Sequence, residues 1–259
     1  METGRKERLL ERLDGIASSL ERCEEALALL GLGSIGVELA RLDEYSDLDF
    51  FVIAAPGCKE RFIERVDWLD AAHPLAYHFK NSDLGRKIMF EDGIYGEFAI
   101  FEEADLLEGS YSEGRFVWMR DTFRNVELAK PAAAYPSIRR DSADFPLNEA
   151  LTNLYVGLCR YARGEKLSAV RFVQGYAVDS ILSVLHLLEP EVEYFPDKFG
   201  NERRLEKRFP DFATRVGDMI QGYGKLPESA LRILDFLEES YPVNAKLSDE
   251  IRRLAACLR

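Results

Sequence analysis

At 259 residues the chain is long enough to bury a substantial core, as one large domain or two smaller ones. Its 34 basic and 46 acidic residues leave a net charge of −12, and no basic block offsets that locally, so a nucleic-acid partner is disfavoured and a small substrate favoured. Excess acid attracts a cationic acceptor and is also an ordinary route to solubility.

The spacing of Leu9, Leu10, Leu13, Ile16 and Leu20 predicts an amphipathic helix over residues 5–20. No long apolar core follows the first residues and no apolar stretch reaches spanning length, so a cytoplasmic protein with no membrane partner is expected. Leu27-Ala28-Leu29-Leu30-Gly31-Leu32 reads as an apolar strand. Gly33-Ser34 would turn it into a short helix whose amides face an incoming phosphate. Asp47-Leu48-Asp49 then heads the apolar run Leu48-Asp49-Phe50-Phe51-Val52-Ile53. Residues i and i+2 of a strand project from one face, so Asp47 and Asp49 would present two carboxylates side by side, an arrangement that suits a divalent cation. Singly, an Asp-x-Asp is also a turn or a cap, and a Gly-Ser a plain turn. The order strand, Gly-Ser, helix, Asp-x-Asp, strand is what points to a site.

A helix is expected over residues 60–69. Two apolar runs flank Asp92-Gly93 within Lys87 to Phe98, a hairpin signal that brings Glu97 in on an antiparallel strand. Glu97 interrupts the strand-like Tyr95-Gly96-Glu97-Phe98-Ala99-Ile100-Phe101, where a buried carboxylate needs a cation or a hydrogen-bonding partner. Beside Asp47 and Asp49 it would complete a cluster of three carboxylates for one or two Mg²⁺ ions, with substrate phosphates filling the remaining positions. On an edge strand it would instead point to water. Residues 104–124 show a mixed pattern.

A boundary is expected near Lys130-Pro131-Ala132-Ala133-Ala134-Tyr135-Pro136, giving domains over residues 1–135 and 136–259. Helices dominate beyond it, over residues 147–163, 166–189, 202–222, 227–239 and 247–258, with Pro190 closing the second. The fold class is therefore α+β, a mixed sheet flanked by helices and then a helical bundle. Cys23, Cys58, Cys159 and Cys257 lie too far apart for a metal knuckle and read as reduced thiols, and His73, His78 and His186 lack zinc-ligand spacing.

Gly33-Ser34, Ser46-Asp47-Leu48-Asp49-Phe50 and the later strand acid in Gly96-Glu97-Phe98-Ala99-Ile100-Phe101 resemble the nucleotidyltransferase domain of the polymerase-β superfamily. Glu44-Tyr45-Ser46-Asp47 and Tyr95-Gly96-Glu97 are similar to its antibiotic-modifying branch, the lincosamide and aminoglycoside nucleotidyltransferases. Arg163-Gly164-Glu165 before an apolar helix looks like the start of that family's nucleotide-facing helical element. The chain departs from the pattern at Ser34-Ile35-Gly36-Val37-Glu38-Leu39-Ala40-Arg41, where a longer spacing separates Gly-Ser from the first aspartate. There Gly36 would supply flexibility, and Arg41 reads more readily as a solvated helix residue than as a phosphate contact.

The resemblance implies a Mg²⁺-dependent enzyme moving a nucleoside monophosphate from a nucleoside triphosphate, such as ATP, to a hydroxyl of a small acceptor, with antibiotic resistance as the role by family. Asp47 and Asp49 would hold the metal with Glu97, which is also the candidate base, and Gly33 and Ser34 would meet the phosphates. Lys166 and Arg171 are the basic candidates for triphosphate contacts, or else solvated charges at a helix start. Tyr155, Tyr161 and Tyr176 either line an acceptor pocket or pack the core. The helical half offers a surface for a homodimer. Two rivals stand beside this reading: transfer to a protein hydroxyl, as in a toxin–antitoxin pair, and a regulatory protein that binds nucleotide without transferring it.

Overall fold

A computed structural model describes residues 4–131 and 135–259; Met1 to Thr3 and the Ala132-Ala133-Ala134 part of the expected boundary lie outside the described residues. The chain separates into two compact units, Met1–Tyr135 and Pro136–Arg259, and is α+β.

In chain order the first unit runs α1 (Arg5–Glu21), β1 (Ala26–Gly31), single 3-10 turns at Gly33–Ile35 and Leu39–Arg41, β2 (Leu48–Ala54), α2 (Lys59–Glu64) and α3 (Asp67–Asp70). It continues through β3 (Leu75–Lys80), β4 (Gly85–Phe90), β5 (Tyr95–Phe101), α4 (Glu103–Glu108), β6 (Arg115–Met119) and a 3-10 turn at Val126–Ala129. The single helix expected over residues 60–69 is two. Arg65 is extended between them, and the buried Trp68 indole donates back to the Phe62 carbonyl at 3.2 Å. That return drops the Trp68 ring into the core, which a straight helix would not do.

The six strands form one sheet in the order β3-β4-β5-β2-β1-β6. Among the described residues only β2 and β5 are parallel; the other four pairings are antiparallel. One face carries Leu9, Leu13, Ile16 and Leu20 of α1 together with Phe62, Trp68 and Leu69, packed over Phe50, Ile88 and Phe98. Phe50 and Phe98 stack at 5.5 Å between ring centroids, with Trp68 edge-on to both. A second, smaller core on the opposite face gathers Leu30, Ile53, Leu106, Tyr111 and Phe123, and the half-buried Phe51 and Phe101 pack against it. Burial of both faces near β1 and β2 explains their nearly unbroken apolar sequence.

Arg12 ties α1 to the β4–β5 hairpin. Its guanidinium donates to both oxygens of Asp92, at 3.3 and 2.9 Å, and lies 4.4 Å from the Phe90 ring centroid. Arg5 adds a bond to the Gly93 carbonyl at 3.0 Å. The expected Asp92-Gly93 turn is thus held by two arginines, and β5 enters the sheet from an anchored position.

The second unit is helical: α5 (Asp144–Ala162), α6 (Lys166–Val170), α7 (Ala177–Leu188), α8 (Leu205–Arg208), α9 (Pro210–Met219), α10 (Leu226–Ser240) and α11 (Ala245–Leu258). Arg171–Tyr176, joining α6 to α7, is wound as a π-helix. The extra residue per turn brings Gln174 inside, where its amide nitrogen donates to the Gly222 carbonyl (2.9 Å) and Ser229 Oγ (3.0 Å) and its oxygen accepts from the Gly222 amide (3.2 Å). Among the described residues no helix is long and apolar enough to cross a membrane.

Burial opposes the charge on Asp92, but the bonds and charge of Arg12 outweigh it and hold the carboxyl below its ordinary range. A depressed carboxyl stabilises the fold above its unfolded value and loses that contribution as pH falls through the folded value. Asp92→Asn is therefore expected to cost about 1–2 kcal/mol at pH 7 and progressively less below about pH 4. Urea denaturation of parent and variant at pH 7 and pH 3 measures both gaps; equal gaps contradict the pair.

Candidate active site at one end of the sheet

Chain direction gathers four strand ends. β1 leaves the sheet at Gly31, while β2, β5 and β6 enter it there, because β2 and β6 run antiparallel to β1 and β5 runs parallel to β2. Gly31 pairs with Phe50 on one side and Arg115 on the other, and the Leu32 amide donates to the Asp49 carbonyl at 2.8 Å. The Gly33-Ser34 segment and the head of β2 are thereby fixed to each other through the backbone.

The short helix expected after β1 is a single 3-10 turn, Gly33–Ile35. It closes on itself: the Gly36 and Glu38 amides both donate to the Gly33 carbonyl at 3.1 Å, and the Ile35 amide donates to the Leu32 carbonyl at 3.2 Å. Those amides are occupied within the loop, so the phosphate cradle of a helix start is not built from them. Gly33 sits at φ +52°, a conformation glycine adopts without strain. At Gly36 a Cβ would lie 2.5 Å from the Gly31 carbonyl oxygen and 2.8 Å from the Leu32 backbone. Ser34 is 5% exposed, and its hydroxyl has no hydrogen-bond partner among the described residues.

Two arginines brace this loop. Arg115 donates to the carbonyls of Ile35 (3.1 Å) and Gly36 (3.4 Å). Arg41 is half-buried, not the solvated residue expected: it pairs with Glu38 at 2.7 Å, and its Nη2 lies 3.4 Å from where a Gly33 Cβ would stand. A guanidinium therefore borders the Gly-Ser turn.

Asp49 on β2 stands directly opposite Glu97 on β5, and Glu97 opposite Lys87 on β4. Asp47 is two residues before Asp49, immediately ahead of β2. The buried partners Leu48, Phe50 and Phe98 alternate with these acids and face the core, so the acids lie on the less-covered face. The backbone brings Asp47, Asp49 and Glu97 to one end of one face; the side chains do not gather further. Among the described residues no three His, Cys, Asp or Glu side chains form a group able to hold a metal ion. Glu97 is instead held by Asn81, whose amide donates to Oε1 at 2.6 Å, and by the Lys87 ammonium 3.5 Å from Oε2. Three carboxylates brought closer without a cation would repel one another, and an ammonium and an amide give Glu97 better partners.

Tyr95 registers the field of the cluster. Burial pushes its phenol above the ordinary range, Lys87 pulls it down, and Glu97, Asp47 and Asp49 push it up again. All four charges thus reach one side chain. Oxygen donors are what a hard dication takes, and ligation by all three acids would require Glu97 to leave Lys87.

Lys166 and Arg171 belong to the other unit. Both are exposed, and the Lys166 ammonium lies 4.9 Å from the Tyr161 ring centroid. Tyr155 and Tyr176 are exposed, while Tyr161 packs against the helical core.

No family model matches the chain, and neither does any curated protein. Among solved structures, an aminoglycoside 6-adenyltransferase from Bacillus subtilis aligns over 95% of this chain and 91% of its own, at 15% identity and a TM-score of 0.35. So distant a likeness transfers no residue and no reaction.

Gly36→Ala is expected to destabilise the protein by about 2–4 kcal/mol, because the methyl group meets fixed backbone. Gly217→Ala, in α9 with nothing near its would-be Cβ, is expected to be neutral or stabilising. Urea midpoints of the two variants test the contrast, and a neutral Gly36→Ala contradicts the tight loop.

Proposed function

We propose that this chain is a nucleotidyltransferase resembling the polymerase-β superfamily, which moves a nucleoside monophosphate from a nucleoside triphosphate to a hydroxyl of a small acceptor. The observation that carries the reading is the register match of Asp49 with Glu97 on parallel neighbours, with the Leu32 amide, two residues before Ser34, bonded to the Asp49 carbonyl. Antibiotic modification is the finer form of this proposal, and rests on the sequence resemblance.

Ser34 and the Gly33 turn receive the terminal phosphates, with the Arg41 guanidinium at their border to offset negative charge. Mg²⁺ held by Asp47 and Asp49, and by Glu97 once it turns from Lys87, would supply charge neutralisation at the phosphate oxygens. Glu97 takes the proton of the acceptor hydroxyl. The hydroxyl oxygen then bonds to the α-phosphorus as the bond from that phosphorus to its bridging oxygen breaks, and pyrophosphate leaves with the electron pair. Lys87, released from Glu97, stays on the same face as a cation toward the transferring group.

Asp47→Asn and Asp49→Asn are each expected to lower transfer by about a hundredfold or more while leaving the circular dichroism spectrum unchanged. Incubation with α-labelled triphosphate and a panel of small hydroxyl compounds provides the assay; comparable turnover in parent and variants rules the roles out. Label on a copurifying protein would favour the protein-acceptor reading, and nucleotide binding without turnover the regulatory one.

Glu97→Gln is expected to lower kcat by about 10²-fold with a smaller change in the KM for triphosphate, as befits a proton acceptor. An equal loss in both makes Glu97 a ligand only.

A further inference from the structure

The face that carries Glu97 and Asp49 extends outward across β4 and β3, and register defines two rows on it. One runs Phe79, Lys87, Glu97, Asp49; the other runs Tyr77, Met89, Tyr95. Tyr77, Phe79 and Met89 are 55, 42 and 39% exposed, and the Tyr77 and Phe79 ring centroids are 5.9 Å apart. Toward β1 the same face is closed, since Phe51 packs edge-on to Phe101 and Tyr111. The reverse side of the hairpin is tied down as well: Arg86 donates to the Ile63 carbonyl at 2.7 Å, and Lys80 pairs with Glu64 at 3.0 Å. An apolar strip therefore stays open on an anchored support, and it begins where the carboxylates end.

We infer that this strip is the platform for the acceptor of the transfer, and that the acceptor has a planar apolar body bearing a protonated amine. The inference rests on the nucleotidyltransferase reading. Two aromatic rings and a thioether offer flat, polarisable surface for the body. In the chain without metal or nucleotide, exposed ring faces attract a cation, as do Asp47 and Asp49 at the inner end of the rows, while Lys87 is paired with Glu97. A planar anion meets no such complement. A body lying along Tyr77 and Phe79 also leads toward Glu97, as the proposed proton transfer requires.

The test uses the full chain without nucleotide and titrates 9-aminoacridine, a fluorescent planar cation, against naphthalene-2-sulfonate, a planar anion. Preference for the cation is expected, with Tyr77→Ser and Phe79→Ser each weakening it about five- to tenfold and Phe79→Leu less. Both side chains are exposed, so the variants should fold, and their melting temperatures check it. Unchanged cation binding in the serine variants overturns the platform. So does a dimer in sedimentation velocity that the same variants dissociate, since the strip would then be a self-association surface. Transfer to hydroxyl compounds at unchanged acceptor KM in the serine variants sinks the platform and leaves the transferase standing. Strip-dependent cation binding with no transfer to any hydroxyl sinks the transferase and retains only a site for planar cations.

Discussion

The stacked pair Phe50 and Phe98, closed by Trp68, sets the register on which the candidate site depends. These rings lie on the core side of β2 and β5, and each is preceded in sequence by an acid on the other side. Strand side chains alternate strictly, so a slip of one residue would exchange Phe98 for Glu97 in the core at a cost no cation there offsets. Packing on one face thus positions carboxylates on the other. The parallel sense of this one pairing is equally necessary, because only parallel neighbours enter a sheet at the same end. In an antiparallel pair Glu97 would stand at the far edge from Asp49.

The electrostatics follow from that placement. Three acids on one sheet end create a field strong enough to reach the Tyr95 phenol, and the protein answers it from the adjoining hairpin with Lys87 and Asn81. Both partners come from the side of the sheet where Tyr77, Phe79 and Met89 are exposed. On the opposite side of the acids, Arg41 and Arg115 brace the glycine-rich turn through its carbonyls and Glu38. Rigid backbone on one flank and exchangeable side-chain partners on the other distinguish where phosphates would be received from where an acceptor would approach. Where a row of helix amides was expected, the turn places the Ser34 side chain and the neighbouring Arg41 guanidinium.

Much of this was legible in the residues. Leu9, Leu13, Ile16 and Leu20 predict α1 by spacing alone, and Asp92-Gly93 predicts the hairpin that carries Glu97. The two-residue turn that Asp92-Gly93 signals would set Lys87 opposite Phe98; the loop is one residue longer and sets Lys87 opposite Glu97, so the ion pair follows from the structure alone. Arg41 departs from the solvated position expected because its partner, Glu38, sits three residues back in a turn whose shape depends on Gly36 packing against Gly31. The break between α2 and α3 was invisible for a similar reason, since Trp68 turns inward to meet Phe50 and Phe98 from remote strands. The π-helical segment likewise answers to Gly222 and Ser229, some fifty residues away.

By itself the sequence determined the α+β class, the alternation that sets Asp47, Asp49 and Glu97 apart from their apolar neighbours, and the helical second half, because these depend on local periodicity. Only the tertiary structure decided that β2 and β5 are parallel, that Glu97 leans on Lys87 and Asn81, and that Tyr77, Phe79 and Met89 continue the same face into the open. Such features arise where strands distant along the chain are brought into register, and periodicity within a segment carries no information about its neighbour.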